Sequence, residues 1–174
     1  MSLIKLGNVP KSNLYGLDAD ISWNAAPGLD LRAGLGLLHS RLGPFQTVLA
    51  AGPVTIPAGN KLPDAPDVTL NLSARYEHEI AAGWIGGIQL DAHYADAVFK
   101  EALNTPYLAA GSYWLENAEA DLSTADRKWT LSLWVKNLAD TRYVSQATDD
   151  GLGMGYRIFN PPRTFGFTVS HKFD

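Results

Sequence analysis

Residues 67–77 read DVTLNLSARYE. Val68, Leu70, Leu72, Ala74 and Tyr76 fall on one row, and Asp67, Thr69, Asn71, Ser73, Arg75 and Glu77 on the other. Side chains of an extended chain point alternately to opposite faces, so this period of two predicts a strand with one apolar and one polar face. The pattern recurs. Residues 13–24 set Tyr15, Leu17, Ala19, Ile21 and Trp23 against Asp18, Asp20 and Ser22, and residues 29–40 set Leu29, Leu31, Ala33, Leu35 and Leu37 against Asp30, Arg32, Gly34 and Gly36. Residues 84–96 carry Trp84, Ile88, Leu90, Ala92 and Tyr94 against Gln89, Asp91 and His93. Residues 113–123 carry Trp114, Ala118, Ala120 and Leu122, with Glu116 interrupting the apolar row. Trp129, Leu131, Leu133 and Val135 oppose Thr130, Ser132 and Lys136, and Phe165, Phe167, Val169 and Phe173 oppose Thr164, Gly166, Thr168, Ser170 and Lys172. These seven runs, with no competing helical stretch, predict an all-β fold of antiparallel up-and-down strands.

A chain of 174 residues is long enough for one domain with a full core. The net charge of −4 leaves no basic footprint for nucleic acid. With no cysteine, disulfides, Cys-based zinc sites and a thiol nucleophile are excluded. The start, MSLIKLGNVPKSN, does not read as a signal peptide. The most apolar stretch, TVLAAGPVTIPAG (47–59), is too broken by Pro and Gly to be a spanning helix.

Period-two alternation suits either a soluble sandwich, with the apolar row inward, or a membrane barrel, with that row toward lipid. Three features favour the barrel. The runs are long beside the usual soluble strand of about 5–6 residues, and about 10 tilted residues cross the apolar band of an outer membrane. Short connections (24–28, 77–83, 123–128) alternate with long ones (41–66, 97–112, 139–162), as between periplasmic turns and outer loops. Trp23, Tyr76, Trp84, Trp129 and Phe173 would ring the short-turn end, and Tyr15, Tyr94, Trp114 and Phe165 the other, as interfacial girdles do. The polar row (Asp18, Asp20, Arg32, Arg75, Glu77, Asp91, Glu119, Asp121, Lys136) would then line a wet lumen.

Two later stretches add a motif: WVKNLADTRY (134–143) and YRIFNPPRTFGFTVSHKF (156–173). Asn137 and Asp140 are poor strand residues and good turn formers, so they end regular pairing. Pro161 and Pro162 cannot donate ladder bonds, so the last strand begins after them. The two stretches resemble the carboxyl end of TonB-dependent outer-membrane receptors, where a strand runs into Asn-Leu-x-Asp-x-x-Tyr, then an outer loop, then Pro-Arg-Thr and aromatic alternation to a terminal Phe. Asn137, Leu138, Asp140 and Tyr143 match the first part, and Pro162, Arg163, Thr164, Phe165 and Phe173 the second; Asp174 after Phe173 departs from it. Upstream, residues 8–42 resemble the family's Pro-Gly hairpin, and residues 59–78 its Leu-Pro-x-Ala-Pro return from an outer loop.

The resemblance implies that residues 1–174 are the C-terminal third of a transmembrane β-barrel of about 22 strands, a fragment not closed alone. The family's signal peptide, TonB-binding segment and plug domain have no counterpart in the sequence. Implied partners are outer-membrane lipid, the remaining N-terminal barrel and plug, TonB through that part, and the barrel-assembly machinery, which would read the closing aromatic row. The implied function is TonB-energised import of a scarce nutrient across the outer membrane of a Gram-negative bacterium. A ferric siderophore is the commonest substrate class, beside vitamins and oligosaccharides. No cofactor is implied, since iron would arrive in its chelator. In the outer loops (42–64, 97–111, 145–161), Tyr107, Tyr113, Tyr156, Arg157 and Phe159 are expected to touch ligand, because aromatics and Arg dominate recognition surfaces.

Nothing in the sequence points to an enzyme. His39, His78, His93 and His171 lack ligand spacing, His93 and Asp91 share a row as a lumen hydrogen bond would, and GLGMGY (151–156) lacks the helix of a phosphate loop. A small stand-alone barrel, with residues 2–6 as an eighth strand, and a soluble β-sandwich binding module are the rival architectures.

Overall fold

The alternation translates into pairing register. The structure, a computed structural model, describes residues 11–49, 51–149 and 154–173; Asp174 and residues 2–6 lie outside them. Among the described residues the strands are β1 (Ser12–Ala26), β2 (Leu29–Leu42), β3 (Phe45–Leu49), β4 (Gly52–Ile56), β5 (Val68–Ala81), β6 (Trp84–Ala95), β7 (Tyr113–Thr124), β8 (Trp129–Lys136), β9 (Val144–Asp149), β10 (Gly155–Phe159) and β11 (Thr164–His171). A 3-10 turn covers Pro106–Leu108.

Seven of these strands form one antiparallel sheet in the order β1-β2-β5-β6-β7-β8-β11. Leu17, Ala19, Ile21 and Trp23 lie opposite Leu37, Leu35, Ala33 and Leu31, and Leu31, Ala33, Leu35 and Leu37 lie opposite Ala74, Leu72, Leu70 and Val68. A slip of one residue would turn every apolar side chain to the polar face, so the pattern excludes odd slips and the short turns fix the rest. Among the described residues the sheet does not close: β1 and β11 each keep an unpaired edge.

Among the described residues the apolar face has no second layer against it. Ile21 is 67% exposed, Phe167 71% and Phe165 81%, and Leu72, Ile88, Leu90, Leu131 and Leu133 are exposed as well. The buried apolar side chains lie elsewhere: Leu42, Ile56, Ala65, Leu108, Ala110 and Val144 all belong to the outer end and its connections. A sandwich would reverse this distribution. An apolar wall with its core confined to the loop cap is the arrangement of a barrel wall facing lipid.

Several boundaries differ from those expected. β1 continues through a register shift between Asn24 and Ala26, leaving Pro27 and Gly28 as the turn. β2 runs past Ser40 to Leu42, and β5 runs past Glu77 to Ala81, so Tyr76 lies before the end of its strand. The β5 overhang pairs with the start of β6, His78 opposite Gly86, Glu79 opposite Ile85 and Ala81 opposite Trp84. Gly28 has φ 78°, and its carbonyl accepts from the Glu77 amide at 2.8 Å, so the β1–β2 turn docks on the side of β5. A Cβ at position 28 would stand 2.1 Å from the Glu77 carbonyl oxygen, which leaves glycine as the residue that fits. β11 stops at His171, with Phe173 just beyond it.

Two long connections read as loops hold hairpins, β3–β4 and β9–β10. The first includes part of the TVLAAGPVTIPAG stretch, and the second takes Gly155 and Tyr156 into a strand.

Candidate functional site

At the short-turn end of the polar face, a charge network crosses three strands. Arg75 on β5 donates to Glu77 at 2.7 Å and pairs with Asp121 on β7, whose side chain is nearly buried. Between them on β6 stands Gly87, where a Cβ would come within 2.4 Å of the Arg75 guanidinium and 2.7 Å of Asp121 Oδ1. The missing side chain is the passage by which Arg75 reaches β7. From the β7–β8 turn, Arg127 donates to the other Glu77 oxygen at 2.7 Å. Arg127 has φ 56° and was not singled out in the sequence, where nothing marks a turn residue as reaching back to the wall. Hydrogen bonding to Glu77 holds its guanidinium pKa above the ordinary value. In the same turn, the Thr124 hydroxyl and then the Lys128 amide hold the Asp126 carboxyl below the usual carboxylate range. Arg75, Glu77, Asp121 and Lys136 thus form bonds or ring contacts on the polar face, Lys136 lying 5.6 Å from the Trp134 ring centroid.

The histidines do not form a catalytic pair. His93 Nδ1 bonds Asn71 Oδ1 at 2.8 Å, and Asp91 accepts from Gln89. His39 and His78 stack on Tyr15 and Tyr76, and the His171 ring lies tilted against Trp129. Among the described residues no three metal-ligating side chains cluster.

At the outer end, the motif residues form a polar latch. Asn137 ends β8 with φ 55° and is 6% exposed. Its Oδ1 accepts from Thr141 N at 2.8 Å, and its Nδ2 donates to Thr141 O and Pro161 O at 3.0 and 3.2 Å. Leu138 N donates to Glu116 O across the β7 edge at 2.7 Å. Asp140, also at φ 55°, accepts from Arg163 N at 2.8 Å, and Arg163 donates back to Leu138 O. Asn160 mirrors Asn137: its Oδ1 accepts from Tyr143 N, and its Nδ2 donates to Thr141 O and Pro161 O. After glycine, left-handed backbone best tolerates Asn and Asp, which fits the side chains of both breakers. Pro162 is exposed beside the latch, and Phe165 and Phe173 face outward, Phe173 edge-on to His171 at 4.5 Å. Asn160 was missed; the signal was its place directly before Pro161-Pro162.

The outer-loop aromatics divide. Tyr113 stacks on Tyr143 with centroids 3.7 Å apart, so one ring face of each is occupied. The Tyr107 carbonyl accepts from the Arg157 guanidinium, which ties the 3-10 turn to β10. Phe159 lies under Arg142, 4.7 Å from its ring centroid, and Tyr156 is exposed on β10. Tyr107 and Arg157 are therefore brought together, Tyr156 lies apart beside Asp64 and Lys100, and Tyr113 and Phe159 pack against other residues.

The two preceding connections are also braced. Lys61 N donates to Asn104 Oδ1 at 2.7 Å and Asn104 Nδ2 returns a bond to Lys61 O at 3.0 Å. Asn60 donates to Ala102 O, and Asp64 N to Phe99 O at 2.9 Å.

This fold has counterparts. The sequence matches the family described as TonB dependent receptor-like, beta-barrel, over residues 4–138. Among solved structures, the ferric yersiniabactin uptake receptor FyuA from Yersinia pestis superposes with a TM-score of 0.79 at 18% identity, covering 94% of this chain and 24% of that one. The siderophore receptor PiuA from Acinetobacter baumannii gives 0.75 at 22%, covering 93% and 22%. The ferric-catecholate import receptor Fiu from E. coli K12 gives 0.64 at 21%, covering 91% and 20%. At these identities the likeness carries the fold, and the chain spans about a quarter of FyuA's length.

Proposed function

Since this chain belongs to the TonB-dependent receptor β-barrel family, we propose that it is the C-terminal wall of an outer-membrane receptor that imports a ferric siderophore with energy delivered through TonB. The observation that carries the reading is the open sheet with an exposed apolar face: it needs both lipid and further strands to be stable. The similarity to receptors for iron chelates supports the substrate class. In this reading β1 pairs with preceding strands of the same barrel, β11 closes it, and the polar face turns to a plug. The assembly machinery recognises the outward row of Phe165, Phe167, Val169 and Phe173. Tyr107, Tyr156 and Arg157 would then contact the ligand, whereas Tyr113 and Phe159 already pack against Tyr143 and Arg142.

The test is uptake of radioactive iron by cells carrying the complete gene, its deletion, and a deletion of tonB. Uptake of a ferric chelate that falls to the same background in both deletions supports the reading. Iron uptake indifferent to the gene, or transport that persists without TonB, refutes it.

A further inference from the structure

A cleft opens between the 97–112 connection and the β9–β10 hairpin, lined by Asp64, Lys100, Ser145, Gln146, Thr148 and Tyr156. Its two charged residues are placed unequally. The Lys100 side chain is 9% exposed and that of Asp64 63%, although they pair at 2.6 Å. An ammonium has three donors, and the Asp64 bond uses one of them. Desolvating a cation with a single, largely solvated partner is unfavourable unless more acceptors arrive. The other groups at the cleft add donors: the Gln146 amide, the Thr148 hydroxyl and the Tyr156 phenol, of which Gln146, Thr148 and Tyr156 are exposed. Ser145 is committed, since its hydroxyl donates to Ile158 O at 3.0 Å.

We propose that this cleft is an oxyanion subsite, in which Lys100 takes a carboxylate or catecholate oxygen of an anionic iron chelate; this rests on the iron-uptake reading above. Asp64 holds the ammonium while the cleft is empty. It gives way to the ligand at little cost because its own carboxylate stands mostly in water. Tyr156, Gln146 and Thr148 then donate to the remaining ligand oxygens. The subsite thereby selects for negative charge, and a neutral chelate gains nothing from Lys100.

Because Asp64 competes with the ligand, the two halves of the pair have opposite signs, which a mere strut between loops would not give. The experiment measures binding of iron(III) chelates of known charge to the complete outer-membrane barrel that carries this chain. The probes are ferric citrate and a ferric tris-catecholate, both anionic, and a neutral ferric tris-hydroxamate. The variants are Lys100→Gln, Lys100→Arg and Asp64→Asn, each checked for folding by its electrophoretic shift on heating. The expected result is anionic-chelate binding that weakens at least tenfold in Lys100→Gln, survives in Lys100→Arg and tightens in Asp64→Asn. Equal losses in Lys100→Gln and Asp64→Asn would make the pair a strut and overturn the subsite. So would unchanged affinity in Lys100→Gln, or wild-type binding of the neutral chelate alone, and in both cases the iron-uptake reading would stand. Binding of no chelate by the folded wild type removes both.

Discussion

Replacing Asn137 tests the latch at its centre. The side chain makes three hydrogen bonds, one accepted from Thr141 N and two donated to Thr141 O and Pro161 O, from a residue 6% exposed. Each bond stabilises by about 0.5–1.5 kcal/mol net, so losing three amounts to roughly 1.5–4.5 kcal/mol. The upper part of that range applies only if the partners stay dry; Pro161 is exposed and recovers water, so about 2–3 kcal/mol is the expected share. The backbone adds a second contribution. At φ 55° alanine is disfavoured by roughly 1–2 kcal/mol, whereas glycine is not. Asn137→Ala should therefore destabilise the barrel by about 3–5 kcal/mol and Asn137→Gly by about 1–2 kcal/mol less. Asn137→Asp keeps the acceptor for Thr141 N but turns a carboxylate oxygen toward the Thr141 and Pro161 carbonyls in a nearly buried site, so it should be destabilising as well. The assay is reversible urea unfolding of the complete barrel in lipid vesicles, followed by tryptophan fluorescence. If Ala lies within about 0.5 kcal/mol of wild type, or Gly is the less stable of the two, the latch does not hold this end.

The other predictions concern the wall. Gly87→Val places carbon between Arg75 and Asp121 and should break their pair; because Arg75 is partly exposed, the expected loss is about 1–3 kcal/mol, read by the same unfolding assay. By contrast, Arg127→Ala removes only a largely exposed pair with Glu77 and should change stability by less than about 1 kcal/mol; a larger loss would mean that the turn anchors the wall. Leu133→Arg puts a charge on the apolar face and should lower stability by about 2–4 kcal/mol, whereas Ser132→Arg on the polar face should change it little; the reverse order would turn the sheet inside out. Lipid-borne quenchers should reach Trp23, Trp84 and Trp129, and protection of all three would point to a buried core instead.

The main sheet was legible because a period of two is read from each strand separately; the pattern restricts its register to even slips, and the turns set the rest. The outer end was half legible. Asn137, Asp140 and Pro161-Pro162 announce that pairing stops and resumes, but not that Asn137 reaches Pro161, a residue 24 positions away. That contact depends on β8 and β11 lying side by side. Hairpins β3–β4 and β9–β10 escaped notice because strands of five or six residues place only two or three side chains on a face, too few for a period. Lys100 and Asp64 were invisible for the same reason as the latch: their separation of 36 residues is bridged by folded loops.

The latch also bears on what recognition at this end would cost. Loops that must be ordered when a partner arrives give up part of the interaction energy as lost conformational freedom, about 0.5–1.5 kcal/mol for each mobile side chain immobilised. Here the base of the β9–β10 hairpin is tied down on both sides by Asn137 and Asn160, and the neighbouring connections are braced by Asn60 and Asn104. That entropy is spent during folding. A molecule meeting this surface would find the base of the hairpin already fixed, and differences in affinity there would register shape and charge.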